Sequence, residues 1–469
     1  MSDDAWRLGA IELAGRIANR ELSARQAAES VLARIDAVNP ALNAVTVIDR
    51  DGALAAADAA DERQAAGKPL GLLHGVPVTV KENIDQAGQA TTMGVVAMKD
   101  LVARDDGPDI ARLRAAGAIF VGRTNTPDFG LRWHTDNALR GATVNPWNAG
   151  VTPGGSSGGA AAALATGMGP IAIGNDLGGS VRYPAQCCGI ASLRPTFGRN
   201  PRYTATQTAE PLPMSQLMAV NGPMARSVAD VRLAYRVAAG ASADDPWSVP
   251  APLDDMPAAE PGRVALTRAP GGNAADPQVE AGLDRAAAAL RDAGYEVEEM
   301  EPPAIAEASN LWQDLLFAEI AEVTYPRLRD IVGPGAREVL DQMLVMRRPL
   351  DLPGYMQGVA KRATLLREWQ QFLVRYPIVL GPISTRVPFA VGADIGAGSD
   401  FTGIADSMRL VITVNLLGLP AAVVPVGADG GLPQAVQLIG ARFAEESCLR
   451  AAEAIEDRLG PLTPIDPRN

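Results

Sequence analysis

The sequence predicts an α/β fold whose sheet is largely covered by helices. The first observation behind this prediction is that short β-branched runs alternate with segments of helical periodicity. The second is composition, since 47% of the 469 residues are hydrophobic and 20% are charged, as in ordinary globular proteins. These values exclude a disordered or fibrous chain, and the length suffices for the sizeable core of a large α/β enzyme.

The first half of the chain reads as helices and strands in turn. Helical periodicity predicts helices over residues 8–19 and 23–37, with Ser23 as the N-cap of the second. Strands are predicted at residues 44–48, 76–80 and 119–121, and helices at residues 53–66 and 110–116 lie between them. This alternation is what a covered sheet requires.

The second half continues the pattern after a break. The Asp-, Pro- and Ala-rich residues 241–262 predict a surface connection, and a helix at 277–293 leads into a strand at 295–300. Residues 303–376 are mostly helical by periodicity, and strands follow at 378–382 and 421–426. The apolar faces of this helical segment fit either a layer packed on the sheet or a lid over a substrate pocket; they contain Trp312, Leu315, Leu316, Phe317, Val339, Leu340, Met343 and Leu344.

Charge and hydropathy exclude several classes of partner. The formal net charge is -12 and the sequence pI about 4.9, and the 42 basic residues form no cluster, so nucleic-acid binding is not expected. Residues 1–6 show no secretory signal, which predicts a cytoplasmic protein. Two weakly charged stretches, 141–175 and 410–428, are interrupted by prolines and are therefore expected in the core rather than in a membrane.

The scarcity of histidine and cysteine limits the chemistry further. The chain holds two histidines and three cysteines, too few for a zinc site without convergence of nearly all of them, so no metal is expected. No G-x-S-x-G motif is present, which argues against a Ser-His-Asp triad. Cys187 and Cys188 are adjacent in sequence and are interpreted as small buried hydrophobic residues.

Two glycine-rich segments could carry chemistry. Residues 154–159 (GGSSGG) precede a predicted helix at 160–166 and expose backbone N–H groups, but no lysine accompanies them, so this is no nucleotide loop. Residues 176–180 (DLGGS) follow an apolar strand and form a turn that can donate to an oxyanion beside a serine hydroxyl.

Lys81 is a candidate base. It is one of four lysines, and it ends the apolar run 75–80, where burial is deepest. A desolvated lysine can give up its proton near neutral pH, whereas arginine cannot. The alternative is a buried ion pair between Lys81 and Glu82 or Asp85.

Taken together, these segments resemble the amidase signature family of serine hydrolases. The similarity rests on residues 154–159, 176–185 and 189–196, and flanking segments agree with it at 75–83, 124–127, 145–147, 415–421 and 437–440. It extends over nearly the whole chain. The resemblance implies one domain over residues 1–469, built on a mixed, largely parallel twisted sheet with helices on both faces, with residues 303–376 as a segment that could cap the pocket.

The resemblance also implies a set of site residues. Ser180 would be the nucleophile, Lys81 the base, and Ser156 the proton bridge between them, next to a cis peptide bond. The oxyanion would be held by the N–H groups of Leu177, Gly178, Gly179 and Ser180. Supporting roles would fall to Ser157, Asp176 and Arg182. No metal or cofactor is needed for this acyl transfer.

The expected activity is hydrolysis of small aryl or aliphatic amides, with esters and carbamates also chemically accessible, by a monomer or homodimer. The alternative is the glutamine-hydrolysing A-type subunit of a tRNA amidotransferase, which usually carries an acidic residue where this chain has Met408. Met408 favours an apolar substrate unless it simply packs in the core. A scaffold protein with a dead site is a third interpretation, disfavoured because all three triad residues are present.

Two residues depart from the family pattern, and eight are candidates to line the substrate pocket. Asn175 stands where Thr or Ser is commoner, and Ser192 where Gly is usual; both are expected outside the reacting triad. Ordinary packing is the alternative role for each candidate pocket residue, and these are Met93, Leu131, Trp133, Tyr203, Leu316, Phe389, Ile395 and Met408.

Overall fold

A single eleven-stranded sheet organises the protein. The computed structural model describes residues 4–253, 262–347 and 349–468. The strands are β1 (Val45–Ile48), β2 (Pro77–Lys81), β3 (Ile119–Thr124), β4 (Ile171–Asp176), β5 (Ala191–Arg194), β6 (Val220–Ala225), β7 (Arg263–Leu266), β8 (Glu296–Glu299), β9 (Ile378–Pro382), β10 (Ala421–Asp429) and β11 (Leu432–Gly440). Their order in the sheet is β1-β3-β2-β4-β6-β5-β10-β11-β9-β7-β8.

The sheet is mixed, as expected, although its parallel share is smaller than expected. Within the described ranges four pairings are parallel, and they lie in two groups, β3-β2-β4 and β9-β7-β8. The other six are antiparallel. The difference arises because β10 returns directly as β11 through a tight turn, and because β6 inserts between β4 and β5.

Helices cover both faces of this sheet, which confirms the predicted α/β class. They are α1 (Ala10–Ala18), α2 (Ala24–Leu42), α3 (Arg50–Ala65), α4 (Pro108–Ala115), α5 (Gly158–Ala165), α6 (Arg182–Cys188), α7 (Pro213–Met218), α8 (Val228–Ala238), α9 (Pro277–Asp292), α10 (Ile305–Glu319), α11 (Tyr325–Leu328), α12 (Pro334–Met346), α13 (Leu352–Arg375), α14 (Phe401–Ser407), α15 (Arg409–Leu417) and α16 (Glu445–Leu459). Ser23 caps α2 as predicted, since its side chain accepts from the N–H of Gln26.

Two core clusters lie on opposite faces of the sheet. Val78 and Val80 of β2 belong to the cluster that includes α1, α4, α8, α9 and α16 residues. The other cluster joins residues of α2, α5, α6, α10, α12, α13 and α15. Because side chains alternate along a strand, Lys81 projects from the face opposite to Val78 and Val80, toward the second group of helices.

The connection and the helical segment match their predictions where they are described. Residues 241–253 contain no helix or strand, and residues 254–261 of the predicted connection lie outside the described residues, as do residues 1–3 and Arg348. Residues 303–376 form α10 to α13 and a π-helical turn at Ile320–Thr324. In the described parts of the chain, no helix has both the length and the apolar character needed to span a bilayer.

Candidate active site

Lys81 lies at the carboxyl end of β2 and is completely buried, at 0% exposure. Its Nζ donates to Ser156 Oγ at 2.6 Å and to Asn175 Oδ1 at 2.7 Å. Glu82 pairs instead with Arg140, and Asp85 accepts from Thr91, so the alternative of a Lys81 ion pair is wrong. Burial lowers the pKa of Lys81 well below its ordinary value, and the negative charge of Asp176 opposes this only in part.

Ser156 is held in a tight loop before α5. The Gly155–Ser156 peptide bond is cis, at the place where the family resemblance implies one. A Cβ atom on Gly155 would lie 2.3 Å from the carbonyl oxygen of Arg132, so only glycine lets the backbone of residues 132–134 approach so closely. The loop is thus packed closely against residues 132–134, and it carries the Ser156 hydroxyl that contacts Lys81.

Ser180 ends a turn between β4 and α6, which we call the Ser180 turn (residues 176–180). Ser180 is 7% exposed, so it is reachable but well enclosed. The N–H of Ser157 donates to the Ser180 carbonyl oxygen at 3.2 Å, which fastens this turn to the Ser156 loop. Between these described residues no hydrogen bond joins the hydroxyls of Ser156 and Ser180.

Asp176 and Arg182 form a buried ion pair that stabilises the Ser180 turn. Both are fully buried, and Arg182 donates to both carboxylate oxygens of Asp176 at 3.1 Å. Asn415 also donates to Asp176, at 2.7 Å, and accepts from Arg182 at 2.7 Å. Burial alone would raise the pKa of Asp176, but the charges of Arg182 and Arg194 lower it below its usual range. The carboxylate therefore stays ionised and fixes the turn.

The backbone N–H groups of the Ser180 turn are not equally available. The N–H of Gly179 already donates to Asp176 Oδ1 at 2.9 Å, and the N–H of Val181 donates to Oδ2 at 3.2 Å. In the described part of the chain, no hydrogen bond engages the N–H groups of Leu177, Gly178 or Ser180. Of the four N–H groups predicted to bind the oxyanion, that of Gly179 therefore already donates to another acceptor.

Asn175 contacts the reacting groups directly, which corrects the expectation that it lies outside them. Its Oδ1 accepts from Lys81, and its Nδ2 donates to Asn83 Oδ1 at 2.9 Å. The physical reason is that β2 and β4 are parallel neighbours, so their carboxyl ends meet at one edge. Spacing along the sequence could not show this contact, because it depends on which strands are neighbours in the sheet.

The predicted supporting serine acts through its backbone. Ser157 is the N-cap of α5, and its hydroxyl has no hydrogen-bond partner among the described residues. His134 lies nearby, with Nδ1 3.0 Å from Thr152 Oγ1, and burial together with Arg132 lowers its pKa to about 4. The lowered pKa makes His134 a weak base, and its Nδ1 is already engaged by Thr152, so Lys81 remains the base candidate in this region.

The predicted pocket residues separate into three groups. Leu131, Trp133, Phe389 and Ile395 are half-buried and pack against the core cluster on the Lys81 face. Met93, Leu316 and Met408 are buried, and the 0% exposure of Met408 agrees with its packing alternative. Tyr203 is 42% exposed and lines a separate surface cavity of about 300 Å³ with Phe197 and Trp247, and Ser180 is not among the residues lining it.

Comparisons with known proteins find relatives that share the sequence pattern and the fold of this chain. The Amidase family model matches residues 26–449. The chain is 43% identical to an indoleacetamide hydrolase of Bradyrhizobium diazoefficiens over 97% of its own length and 87% of that protein. It is 35% identical to the A-type subunit of the glutamyl-tRNA(Gln) amidotransferase of a Roseiflexus species, over 93% of both chains. Its fold resembles that of a bacterial aryl acylamidase, with a TM-score of 0.83, 27% identity and 96% coverage of both chains.

A family match over most of the length and a relative at this level of identity are sufficient to assign the family. The relatives include an indoleacetamide hydrolase and an aryl acylamidase. The chain therefore belongs to the amidase signature family and is a hydrolase of carbon–nitrogen bonds other than peptide bonds.

Proposed function

We propose that the protein hydrolyses small amides with an apolar, preferably aromatic, acyl group, through an acyl-enzyme formed on Ser180. The observation that carries this proposal is the 2.6 Å contact between a fully buried Lys81 Nζ and Ser156 Oγ. A buried amine that is neutral near pH 7 can accept a proton from a hydroxyl. This property allows Ser180 to act as the nucleophile and Ser156 to relay the proton of Ser180 to Lys81.

In the first half-reaction, the proton of Ser180 Oγ passes to Ser156 Oγ, whose own proton passes to Lys81 Nζ. A bond forms between Ser180 Oγ and the substrate carbonyl carbon, and the carbonyl oxygen becomes an oxyanion. We assign its stabilisation to the free N–H groups of Leu177, Gly178 and Ser180. The C–N bond then breaks, and the proton returns through Ser156 to the leaving nitrogen.

The second half-reaction repeats the relay with water. A water molecule gives a proton to Ser156 as its oxygen bonds to the acyl carbon, and Lys81 again receives the relayed proton. The bond from Ser180 to the acyl carbon breaks, and the proton returns to Ser180 Oγ. The products are a carboxylic acid and the enzyme in its starting state. Esters and carbamates contain a carbonyl group that is open to the same attack. We therefore include them as further substrates, and their rates are to be compared with those of amides.

The substrate preference rests on two observations. The half-buried side chains of Leu131, Trp133, Phe389 and Ile395 pack against the cluster on the Lys81 face and offer an apolar surface. The relative with 43% identity is an indoleacetamide hydrolase. A primary amide of an arylacetic acid fits both, because its acyl group carries an apolar, planar ring.

Glutamine hydrolysis within a tRNA amidotransferase is the competing function. The identity to the A-type subunit of such an enzyme is 35%, lower than that to the indoleacetamide hydrolase. An apolar, fully buried Met408 also provides no counter-charge for the amino group of glutamine. We therefore expect free glutamine to be a poor substrate.

A substrate panel tests the proposal. Indoleacetamide, an anilide, a nitrophenyl ester, an aryl carbamate and glutamine would be compared by kcat/KM with the full-length chain. We expect the arylacetamide to exceed glutamine by at least about a hundredfold, the size of effect that an unpaired buried charge produces. A fluorophosphonate should label Ser180, as detected by peptide mass spectrometry, and Ser180→Ala should prevent labelling. Glutamine as the best substrate, or no hydrolysis of any member, would reject the proposal.

A further inference from the structure

Two tryptophan indoles hydrogen-bond to the back of the Ser180 turn. Trp133 Nε1 donates to the carbonyl oxygen of Gly178 at 2.8 Å. Trp312 Nε1 donates to the carbonyl oxygen of Leu177 at 3.2 Å. The two residues come from separate elements, since Trp133 precedes the Ser156 loop and Trp312 lies on α10. The two elements thus contact two consecutive peptide groups of the turn, one each.

Each of these carbonyl groups shares a peptide plane with one N–H of the turn. In a trans peptide the C=O of one residue and the N–H of the next point in opposite directions. The Leu177 carbonyl is paired in this way with the N–H of Gly178, which no hydrogen bond between described residues engages. The Gly178 carbonyl is paired with the N–H of Gly179, which donates to Asp176.

We infer that Trp312 is a positioning residue for the oxyanion donors, with Trp133 in a lesser role. A hydrogen bond to the Leu177 carbonyl fixes the orientation of that peptide plane and polarises the Gly178 N–H on its other side. Trp133 acts on a plane that Asp176 already holds. The inference rests on the proposed acyl transfer at Ser180, since it explains how one of its donors is aimed.

Packing supports the same role for Trp312. The indole is 4% exposed, and its ring lies so close to the turn that a Cβ atom on Gly178 would be 3.0 Å from Trp312 Cζ2. The ring therefore fixes the position of Gly178 while its N–H fixes the peptide plane. Through this residue α10 supports the Ser180 turn from behind. This explains a use for the apolar face of the helical segment 303–376 beyond core packing.

Replacing Trp312 by Phe tests the inference, because phenylalanine keeps an aromatic side chain at this position and loses the indole N–H. We expect kcat for the best amide to fall about tenfold with KM within about twofold, since the interaction serves the transition state. Binding of a boronic acid that forms a tetrahedral adduct with Ser180 should weaken by a similar factor. The pH of half-maximal activity should not move, since Lys81 is untouched. Trp133→Phe should have the smaller effect.

Trp369→Phe is the matched control. Trp369 is also buried, on α13, and its Nε1 donates to the Pro303 carbonyl oxygen at 2.8 Å, away from Ser180. Equal kcat values for Trp312→Phe and Trp369→Phe would overturn the inference. If Trp312→Phe does not fold, a benzothiophene isostere of the indole at this position supplies the same comparison. A wild-type chain without amidase activity would instead reject the proposed function, so the two failures are distinct.

Discussion

At the scale of single residues, the proposed acyl transfer requires a Lys81 that is neutral and still hydrogen-bonded. Asn175 provides a neutral acceptor 2.7 Å from Nζ, and Asn83 orients the Asn175 amide from its other side. A carboxylate at the same place would stabilise the ammonium form. The amide thus satisfies the buried amine without raising its pKa.

Asn175→Asp is expected to change the pH dependence of activity. The new carboxylate would raise the pKa of Lys81, and since the base must be neutral, the acidic limb of the kcat/KM profile would move to higher pH. Activity at pH 7 should fall about tenfold or more and recover as the pH rises. Asn175→Ser, which keeps a neutral acceptor, should leave the limb in place. An unchanged limb in Asn175→Asp would show that Asn175 does not influence the base.

Site residues could be predicted from the sequence where they belong to a recognisable motif. They could not be predicted where only three-dimensional packing brings them to the site. Ser156 and Lys81 could be predicted from sequence, and they lie together as expected. Asn175 and Trp312 could not be assigned to the site from spacing, because their contacts depend on which strands are neighbours and on where α10 packs relative to the Ser180 turn. Tyr203 illustrates the converse, since an aromatic residue near the signature lies in another cavity.

At the scale of elements, a buried ion pair joins two segments near the site. Arg132 donates to both oxygens of Asp394 at 2.9 Å, and the two side chains are 1% and 3% exposed. Arg132 belongs to the backbone stretch that packs on Gly155. The segment around Asp394 is therefore coupled to the loop that carries Ser156.

Asp394→Asn is expected to lower the free energy of unfolding by about 3–5 kcal/mol, because it leaves the buried Arg132 charge without its main partner. Urea denaturation would measure the loss. The comparison variant is Asp36→Asn, which breaks the exposed pair of Asp36 with Arg50 and should cost less than about 1 kcal/mol. Similar losses of unfolding free energy in the two variants would contradict the inference that the buried Arg132–Asp394 pair contributes more than an exposed pair.

A contact between α16 and α8 makes stability depend on pH. Both carboxylate oxygens of Glu456 lie 3.0 Å from the N–H of Val228, at the start of α8. Burial, with help from nearby Asp230 and Glu453, raises the pKa of Glu456 from 4.5 to about 7. Because the folded state holds this proton more tightly than the unfolded state, its contribution to stability is present at acidic pH and is lost as the pH rises through 7.

Glu456→Gln should remove this loss, since glutamine keeps an acceptor for Val228 without a charge. At pH 8 the variant should be more stable than the wild type, by on the order of 1–2 kcal/mol, with no such advantage at pH 4.5. Urea unfolding at the two pH values would give the difference. An equal effect of the substitution at both pH values would exclude titration of Glu456 as its cause.

At the scale of the whole molecule, the site is assembled from distant parts of the sequence at one end of the sheet. Lys81 ends β2, the Ser180 turn follows β4, and Asn415 of α15 reaches the same turn. The α/β class could be predicted because helical and strand patterns alternate along the sequence. The order of strands could not, since insertion of β6 between β4 and β5 depends on long-range pairing.

Amide turnover by Lys81→Ala at pH 7 tests whether a neutral, buried Lys81 is the base. We predict that kcat falls by at least about a thousandfold, since general-base catalysis and activation of the nucleophile are lost together. Circular dichroism and thermal unfolding would confirm that the variant is folded. Wild-type turnover by a folded Lys81→Ala chain would contradict the mechanism.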